Sequence, residues 1–253
     1  MTLIGVSLKM YFGHAQTIEW CRAVRAIADD HEAIASGAAE LFVLPTFPSI
    51  PATREILAPV VGVGAQDIAT DDAGAFTGEV SGSVLAELGC TLAEIGHAER
   101  RRLFAETDEQ IGRKVAAAFR NGLTPLVCLG EVEQGGAEAA VAECLQQLGA
   151  ALAGSDRLSL TGPLVVAYEP VWAIGQPTAA PVAHVRDVGL ALGAHLRGLP
   201  GRQGSRVLYG GSAGPGLLTE VGDAVDGLFL GRFAHDPEAV RSILDEVPKL
   251  SLS

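Results

Sequence analysis

The chain is predicted to fold as an α/β protein, a single (β/α)8 barrel that takes in residues 1–253. Eight short apolar segments alternate with longer amphipathic segments, which is the pattern of repeated strand–helix units. No linker, charge block or low-complexity stretch divides the chain, and 253 residues is a usual length for one barrel. A doubly wound open sheet is the alternative. Its dinucleotide-binding version is disfavoured because no GxGxxG motif follows the first strand.

The eight predicted strands are short and rich in aliphatic residues, as buried parallel strands usually are. They cover residues 3–6, 41–44, 61–66, 92–96, 124–129, 164–168, 206–210 and 227–230. Helical patterns lie between them at residues 17–30, 108–121, 137–153, 181–196 and 239–247. Asn121 and Gly122 indicate a helix end, because glycine readily takes the left-handed conformation found there.

The charge balance is acidic, with 18 lysines and arginines against 30 aspartates and glutamates and a net charge of −12. This excess disfavours nucleic acids and anionic membrane surfaces as partners. An anionic small molecule can still bind where backbone N–H groups and a few cations hold it locally.

The four cysteines, Cys21, Cys90, Cys128 and Cys144, show no paired metal-ligand spacing and are predicted to be reduced, mostly buried thiols. No apolar run approaches the ~20 residues of a transmembrane helix. The N-terminus lacks the basic region and long apolar core of a signal peptide. We therefore expect a cytoplasmic protein without a metal site.

Residues 164–175 read LVVAYEPVWAIG and place a carboxylate, Glu169, at the end of a buried strand. Pro170 ends that strand because it has no N–H to give to the sheet. A carboxylate is costly to bury unpaired, but partial desolvation raises its pKa and suits it to act as a base. The apolar loop that follows would exclude water as a lid. The alternative is a structural carboxylate paired with a nearby lysine or arginine.

Polar residues also follow other predicted strands, at the end where a barrel builds its active site. They are Ser7 and Lys9 after the first strand, His97, Glu99, Arg100 and Arg101 after the fourth, residues 210–214 after the seventh, and Gly231 and Arg232 after the eighth. Each has a simple alternative explanation, such as a solvated Lys9 or a His97 satisfied at its strand end. Their convergence from five strand ends favours one common site.

Taken together, these residues resemble the triosephosphate isomerase family. Four motifs carry the resemblance in the family's order: SLKMY at 7–11, IGHAERR at 95–101, AYEPVWAIG at 167–175 and YGGSAGP at 209–215. Supporting matches are GAQ at 64–66, GAFTGE at 74–79, LVCLGE at 126–131 and DGLFLGR at 226–232. The resemblance spans nearly the whole chain.

The resemblance implies an isomerase of small phosphorylated sugars that needs no cofactor, because the reaction only moves a proton between adjacent carbons. Glu169 corresponds to the family's base and His97 to its electrophile, roles for which this family is known. Lys9 corresponds to a fixed positive charge beside the reacting oxygens. Glu99 resembles a supporting carboxylate that binds Lys9 in the unliganded site. The implied phosphate donors are the backbone N–H groups of Gly175, Ser212, Gly231 and Arg232.

The chain departs from the family pattern around these residues. Ser7-Leu8-Lys9 replaces Asn-x-Lys, Gly231-Arg232 replaces Gly-Gly, Ala98 replaces the usual Ser, and Gln176-Pro177-Thr178 replaces the usual far hinge of the lid. Because Lys9, His97 and Glu169 all persist, the pattern indicates an altered substrate and not a loss of the chemistry.

The Ser and Gly-Arg departures resemble a branch of the family used in tetritol catabolism, whose members interconvert L-erythrulose 1-phosphate and D-erythrulose 4-phosphate. The first of these has the phosphate and ketone of dihydroxyacetone phosphate, with an extra hydroxymethyl group on the reacting carbon. Ser7 is shorter than Asn, so it would make room for this substrate and offer it a hydroxyl. We favour this reaction. An ordinary triosephosphate isomerase, acting on glyceraldehyde 3-phosphate and dihydroxyacetone phosphate, is the alternative.

A third hypothesis comes from another class of protein, a phosphate-binding barrel with little catalysis. Phosphate binding needs neither a base nor an electrophile, so the presence of both Glu169 and His97 argues against it.

The GAFTGE segment at residues 74–79 resembles the loop through which members of the family dimerise, so we expect a homodimer. Asp67, where the family usually has Asn, would place a charge close to that interface. An isolated exposed loop is the alternative.

Overall fold

The computed structural model describes residues 1–176 and 179–250. One sheet contains eight parallel strands: β1 Thr2–Ser7, β2 Ala39–Leu44, β3 Gly62–Val63, β4 Leu92–Ile95, β5 Thr124–Leu129, β6 Val165–Tyr168, β7 Arg206–Tyr209 and β8 Gly227–Leu230. Their order is β3-β2-β1-β8-β7-β6-β5-β4. A bridge between Ala65 and Ala93 joins the two ends of this order and nearly closes the barrel. The predicted (β/α)8 barrel is confirmed.

Helices alternate with the strands and form an outer layer. They are α1 His14–Asp30, α2 Glu32–Ala35, α3 Ile50–Leu57, α4 Gly82–Glu87, α5 Ala98–Phe104, α6 Asp108–Arg120, α7 Ala137–Arg157, α8 Val182–Gly198, α9 Leu218–Val221, α10 Pro237–Leu244 and α11 Val247–Leu250. Short 3-10 helices lie at Phe47–Ser49, Val171–Ala173 and Arg232–His235. None of the helices in the described residues has both the length and the apolar character needed to cross a membrane.

Some element ends differ from the prediction. The third strand, predicted at 61–66, is limited to Gly62–Val63, and beyond it only the bridge at Ala65 continues the pairing. The last predicted helix, at 239–247, is two helices. The first begins earlier, because Asp236 accepts a hydrogen bond from the Glu238 N–H and Pro237 suits the first turn. The predicted helix end at Asn121 is present, and Gly122 has a φ of +70°.

The barrel interior is filled by side chains that alternate along the strands. The inward-facing apolar cluster contains Leu3, Phe42, Leu44, Leu92, Leu126, Cys128, Val165, Ala167, Leu208 and Phe229. Gly5 is required here, because a Cβ at this position would lie 2.2 Å from the Phe42 ring and 2.8 Å from the Phe229 ring. Those two rings stack with their centroids 6.1 Å apart. The four cysteines are free and buried, as predicted.

Candidate active site

A cavity of about 500 Å³ opens at the carboxyl ends of the strands. Nine of the residues that the sequence singled out line this cavity: Ser7, Lys9, His97, Glu99, Glu169, Gly175, Ser212, Gly231 and Arg232. They come from the ends of five strands that are far apart in the sequence. Arg100 and Arg101, which also follow the fourth strand, lie outside the lining and form ion pairs elsewhere.

Glu169 directly follows β6, and its backbone N–H donates to the Leu129 carbonyl at 2.8 Å. This bond continues the β5–β6 pairing and directs the side chain into the barrel, where it is 5% exposed. Gly210 leaves room for the carboxylate, because a Cβ there would lie 2.6 Å from Oε1 of Glu169. The carboxylate is thus held by packing at the base of the cavity.

The surroundings of Glu169 favour its protonated form. Burial, reinforced by the negative charge of Glu94, raises its pKa to about 8, although the positive charge of Lys9 acts in the opposite direction. Among the described residues, no lysine or arginine pairs with it, so the alternative of a structural ion pair is wrong. Oε2 accepts no hydrogen bond from a described residue and lies 3.2 Å from Nε2 of His97.

His97 is held in one tautomer by the helix that follows it. Its Nδ1 accepts a hydrogen bond from the backbone N–H of Glu99 at 3.1 Å, which caps α5. Burial and the charge of Lys9 lower its pKa to about 4, so the ring is neutral near pH 7. With Nδ1 acting as an acceptor, the ring proton resides on Nε2, which faces the cavity. Nδ1 is therefore occupied by the cap of α5, whereas Nε2 lies among the side chains that line the cavity, 3.2 Å from Oε2 of Glu169.

Lys9 adopts a left-handed backbone conformation, with a φ of 49°, which is uncommon for a residue other than glycine. Its Nζ donates to Oε1 of Glu99 at 2.8 Å and lies 3.5 Å from Nε2 of His97. Burial disfavours its charged form, but the Glu99 contact and the charge of Glu169 raise its pKa above the usual value. Lys9 is therefore a fixed cation in the cavity and is not simply solvated.

Three loops, those after β6, β7 and β8, present free backbone donors to the cavity. The backbone N–H groups of Gly175, Ser212, Gly231 and Arg232 donate no hydrogen bond to another described residue. Ser212 has a φ of 54°, so its loop turns sharply through a left-handed residue. Unpaired N–H groups that converge on one cavity are suited to hold an anion.

The apolar segment after Glu169 is fastened on both sides. Trp172 donates from Nε1 to the buried carboxylate of Glu131 at 2.8 Å. The hydroxyl of Ser212 lies 2.9 Å from the Ala173 carbonyl and 3.0 Å from that of Gln176. The far hinge predicted at residues 176–178 falls partly outside the described residues, at Pro177 and Thr178. The sequence named Glu131 only as part of a motif, and its contact with Trp172 appears only in the structure.

Comparison with known proteins decides the family. The triosephosphate isomerase family model matches residues 2–247. The chain belongs to the triosephosphate isomerase family. A protein from Pectobacterium atrosepticum named L-erythrulose-1-phosphate isomerase is 54% identical, over 98% of this chain and 96% of its own length. One of the same name from Rhizobium etli is 41% identical, over 96% and 91%. A triosephosphate isomerase from Magnetococcus marinus is 41% identical, over 81% and 84%.

Family and relatives together identify the protein as an isomerase of sugar phosphates. The structure shows the surroundings of Ser7, one of the positions that depart from the usual triosephosphate isomerase pattern. Ser7 is 2% exposed, and its hydroxyl donates to Oε2 of Glu94 at 3.0 Å. Sequence reasoning missed Glu94. The available signal was the two-residue strand period, which places it on the same inward face as Leu92.

The departure at Asp67 does not leave a free charge at the surface. Asp67 is 6% exposed and lies 2.6 Å from Nζ of Lys114 and 2.9 Å from Nη2 of Arg100. Both cations also contact the carboxylate of Glu106. The charge of Asp67 is therefore neutralised by cations of the same chain.

Proposed function

We propose that the protein interconverts L-erythrulose 1-phosphate and D-erythrulose 4-phosphate, with Glu169 as the base and His97 as the electrophile. The observation that carries the proposal is the position of Glu169 beside His97. The Glu169 carboxylate is buried without a lysine or arginine partner among the described residues, and its Oε2 lies 3.2 Å from Nε2 of the neutral imidazole. Two of the relatives described above bear the name of this isomerase, which supports the choice of substrate.

The proposed reaction balances within one substrate molecule. The Glu169 carboxylate removes the proton from C3 of L-erythrulose 1-phosphate, and C2 and C3 become the double bond of an enediol. Nε2–H of His97 donates to the two oxygens in turn and moves the hydroxyl proton from O3 to O2. The acid form of Glu169 then returns the proton to C2. The ketone is left one carbon further along, which gives D-erythrulose 4-phosphate.

The phosphate is assigned to the unpaired N–H groups of Gly175, Ser212, Gly231 and Arg232, with Lys9 as the cation between phosphate and reacting oxygens. Arg232 adds a side-chain charge that the family's usual glycine lacks. Its guanidinium makes no ion pair with a described residue, and Nη2 would lie 3.9 Å from a Cβ built at Gly175. In a chain with a net charge of −12, such local donors are needed to hold a dianion.

The substrate is tested by measuring kcat/KM for L-erythrulose 1-phosphate and dihydroxyacetone phosphate with the wild type and with Ser7→Asn. We expect the wild type to prefer the four-carbon substrate and Ser7→Asn to shift the preference toward the triose, because the larger amide occupies space beside the reacting carbon. A wild type with the higher kcat/KM on the triose would identify an ordinary triosephosphate isomerase and overturn the proposal.

We also propose that the protein is a homodimer. The segment 74–79 exposes Phe76, which has 47% of its surface accessible. Met10, Leu103 and Phe104 are also exposed, at 89%, 64% and 65%. Large apolar side chains left in water on one chain are typical of residues that a second copy covers.

A further inference from the structure

Glu94 is a carboxyl group inside the barrel, on β4, with 3% of its surface exposed. It lies among the inward-facing apolar cluster and contacts two polar groups. The Ser7 hydroxyl is 3.0 Å from Oε2, and the Cys128 thiol is 3.9 Å from Oε1. In the described part of the chain, no lysine, arginine or histidine lies within ion-pair distance of it.

This position is an expensive one for a carboxyl group. Burial without a directly paired cation penalises its charged form and raises the pKa of Glu94 to about 7. A leucine, as at Leu92 on the same face of β4, would serve the packing of the barrel at lower cost. Packing of the barrel therefore does not explain a carboxyl group at this position. A role in the neighbouring cavity would explain it.

Ser7 connects Glu94 to that cavity. Ser7 lines the cavity, and Glu94 lies behind it, outside the lining. A serine hydroxyl has one proton to donate and two lone pairs that accept. Because the hydroxyl of Ser7 donates its proton to Oε2 of Glu94, Ser7 presents only lone pairs to a bound molecule. An oxygen held in this way accepts a hydrogen bond from a substrate hydroxyl.

We infer that Glu94 is a positioning residue for substrate choice: it orients the Ser7 hydroxyl to accept a hydrogen bond from the extra hydroxyl group of a four-carbon sugar phosphate. The inference rests on the proposed function. Dihydroxyacetone phosphate lacks that hydroxyl and would leave the Ser7 lone pairs without a donor. A site whose polar group is left unpaired by the wrong substrate discriminates strongly against it.

The test is a double-mutant cycle on the ratio of kcat/KM for L-erythrulose 1-phosphate to that for dihydroxyacetone phosphate. We expect Ser7→Ala and Glu94→Leu each to lower this ratio at least about tenfold. The double variant should lower it no further than the larger single effect, because the two side chains act as one unit. Glu94→Gln keeps an oxygen that can accept from Ser7, and should retain the ratio within about threefold.

Cys128→Ala is the matched control. It removes the other polar contact of Glu94 without touching Ser7. We expect it to leave the ratio within about twofold, as for a change in the core that spares the Ser7 hydrogen bond. Melting temperatures and circular dichroism spectra establish that each variant is folded. A lower fraction of active enzyme reduces kcat/KM for both substrates equally, so it does not change their ratio.

Four results would overturn the role of Glu94: an unchanged ratio in Glu94→Leu, a loss in Glu94→Gln as large as in Glu94→Leu, a double variant with the product of both single effects, or an equal loss in Cys128→Ala. Failure of the proposed function is recognised separately. A wild type that prefers the triose overturns the proposed substrate, whereas a wild type that prefers the tetrulose with an unchanged ratio in the Glu94 variants overturns only this inference.

Discussion

At the residue scale, the chemistry proposed for the site depends on the surroundings of single groups. Glu169 has a raised pKa because it is buried and because Glu94 adds a negative charge nearby. His97 has a lowered pKa because it is buried beside Lys9. The pKa values of the two groups are thus shifted in opposite directions, as the proposed roles of base and neutral electrophile require.

Glu169→Gln should leave the fold intact and lower kcat by about a thousandfold or more, because an amide cannot accept the substrate proton. Turnover and circular dichroism of the purified variant check this expectation. Glu87→Gln changes an exposed glutamate to the same amide and is the control, with activity near that of the wild type. Near-normal turnover in a folded Glu169→Gln variant would remove Glu169 from the mechanism.

Glu169→Asp distinguishes an isomerase from a simple phosphate binder, since only catalysis is sensitive to a small displacement of the carboxylate.

At the element scale, the short segment after β6 borders the cavity through Ile174, Gly175 and Gln176. Its 3-10 turn, Val171–Ala173, carries Trp172 on one side, and Glu131 fixes the indole. Ser212 reaches it from the loop after β7. Two loops that we propose to supply phosphate donors are therefore fastened to each other, so we expect phosphate binding to be coupled to the position of this segment.

Ser212→Ala removes the hydroxyl that contacts the Ala173 and Gln176 carbonyls and keeps the backbone N–H assigned to phosphate. Loss of one such hydrogen bond, worth about 1 kcal/mol, should raise KM several-fold and lower kcat less. Steady-state kinetics measures both constants. Ser242→Ala is the control, because it loses a hydroxyl–carbonyl bond of the same length, 2.9 Å, on α10. Equal KM values in both variants would show that the contact does not hold the segment.

At the scale of the whole molecule, the exposed apolar side chains and the pH dependence of folding have measurable consequences. Phe76→Glu combined with Thr77→Glu should shift the protein toward monomer in analytical ultracentrifugation and reduce its activity, because charges would be buried at the proposed interface. Leu190 is exposed to a similar degree, at 48%, on α8. Leu190→Glu is the control away from the 74–79 loop. An unchanged dimer in the Phe76 and Thr77 variant would place the interface elsewhere.

The stability of the molecule should depend on pH through Glu94. Its pKa is raised from 4.5 to about 7 in the folded chain, mainly by burial, with Glu99 and Asp67 adding repulsion and Lys9 and Ser7 opposing it. The folded state therefore holds a proton that the unfolded state releases, so this group makes the free energy of unfolding fall as pH rises from 4.5 to 7, by about 3 kcal/mol.

Glu94→Gln removes this titration. We expect the difference in free energy of unfolding, variant minus wild type, to be larger at pH 8 than at pH 4.5. Urea unfolding at the two pH values should show an increase of up to about 3 kcal/mol. The same difference between the two proteins at both pH values would show that Glu94 does not hold a proton in the folded state.

The sequence by itself determined the order of elements and the side of the barrel that carries the site. Aliphatic runs with a polar residue at the end are local patterns, so the sequence alone predicts Glu169 and His97 at strand ends. Asn121 and Gly122 ended a helix for an equally local reason, since Gly122 supplies the positive φ.

Only the tertiary structure decided what surrounds each group. Ser7 and Glu94 are 87 residues apart in the chain, and their hydrogen bond depends on which strands face each other across the barrel. The tautomer of His97, the neutralisation of Asp67 and the raised pKa of Glu169 depend on contacts of the same kind. Local patterns set the period and the ends of elements, whereas hydrogen-bond direction and pKa depend on groups that only the closed barrel brings within a few ångströms.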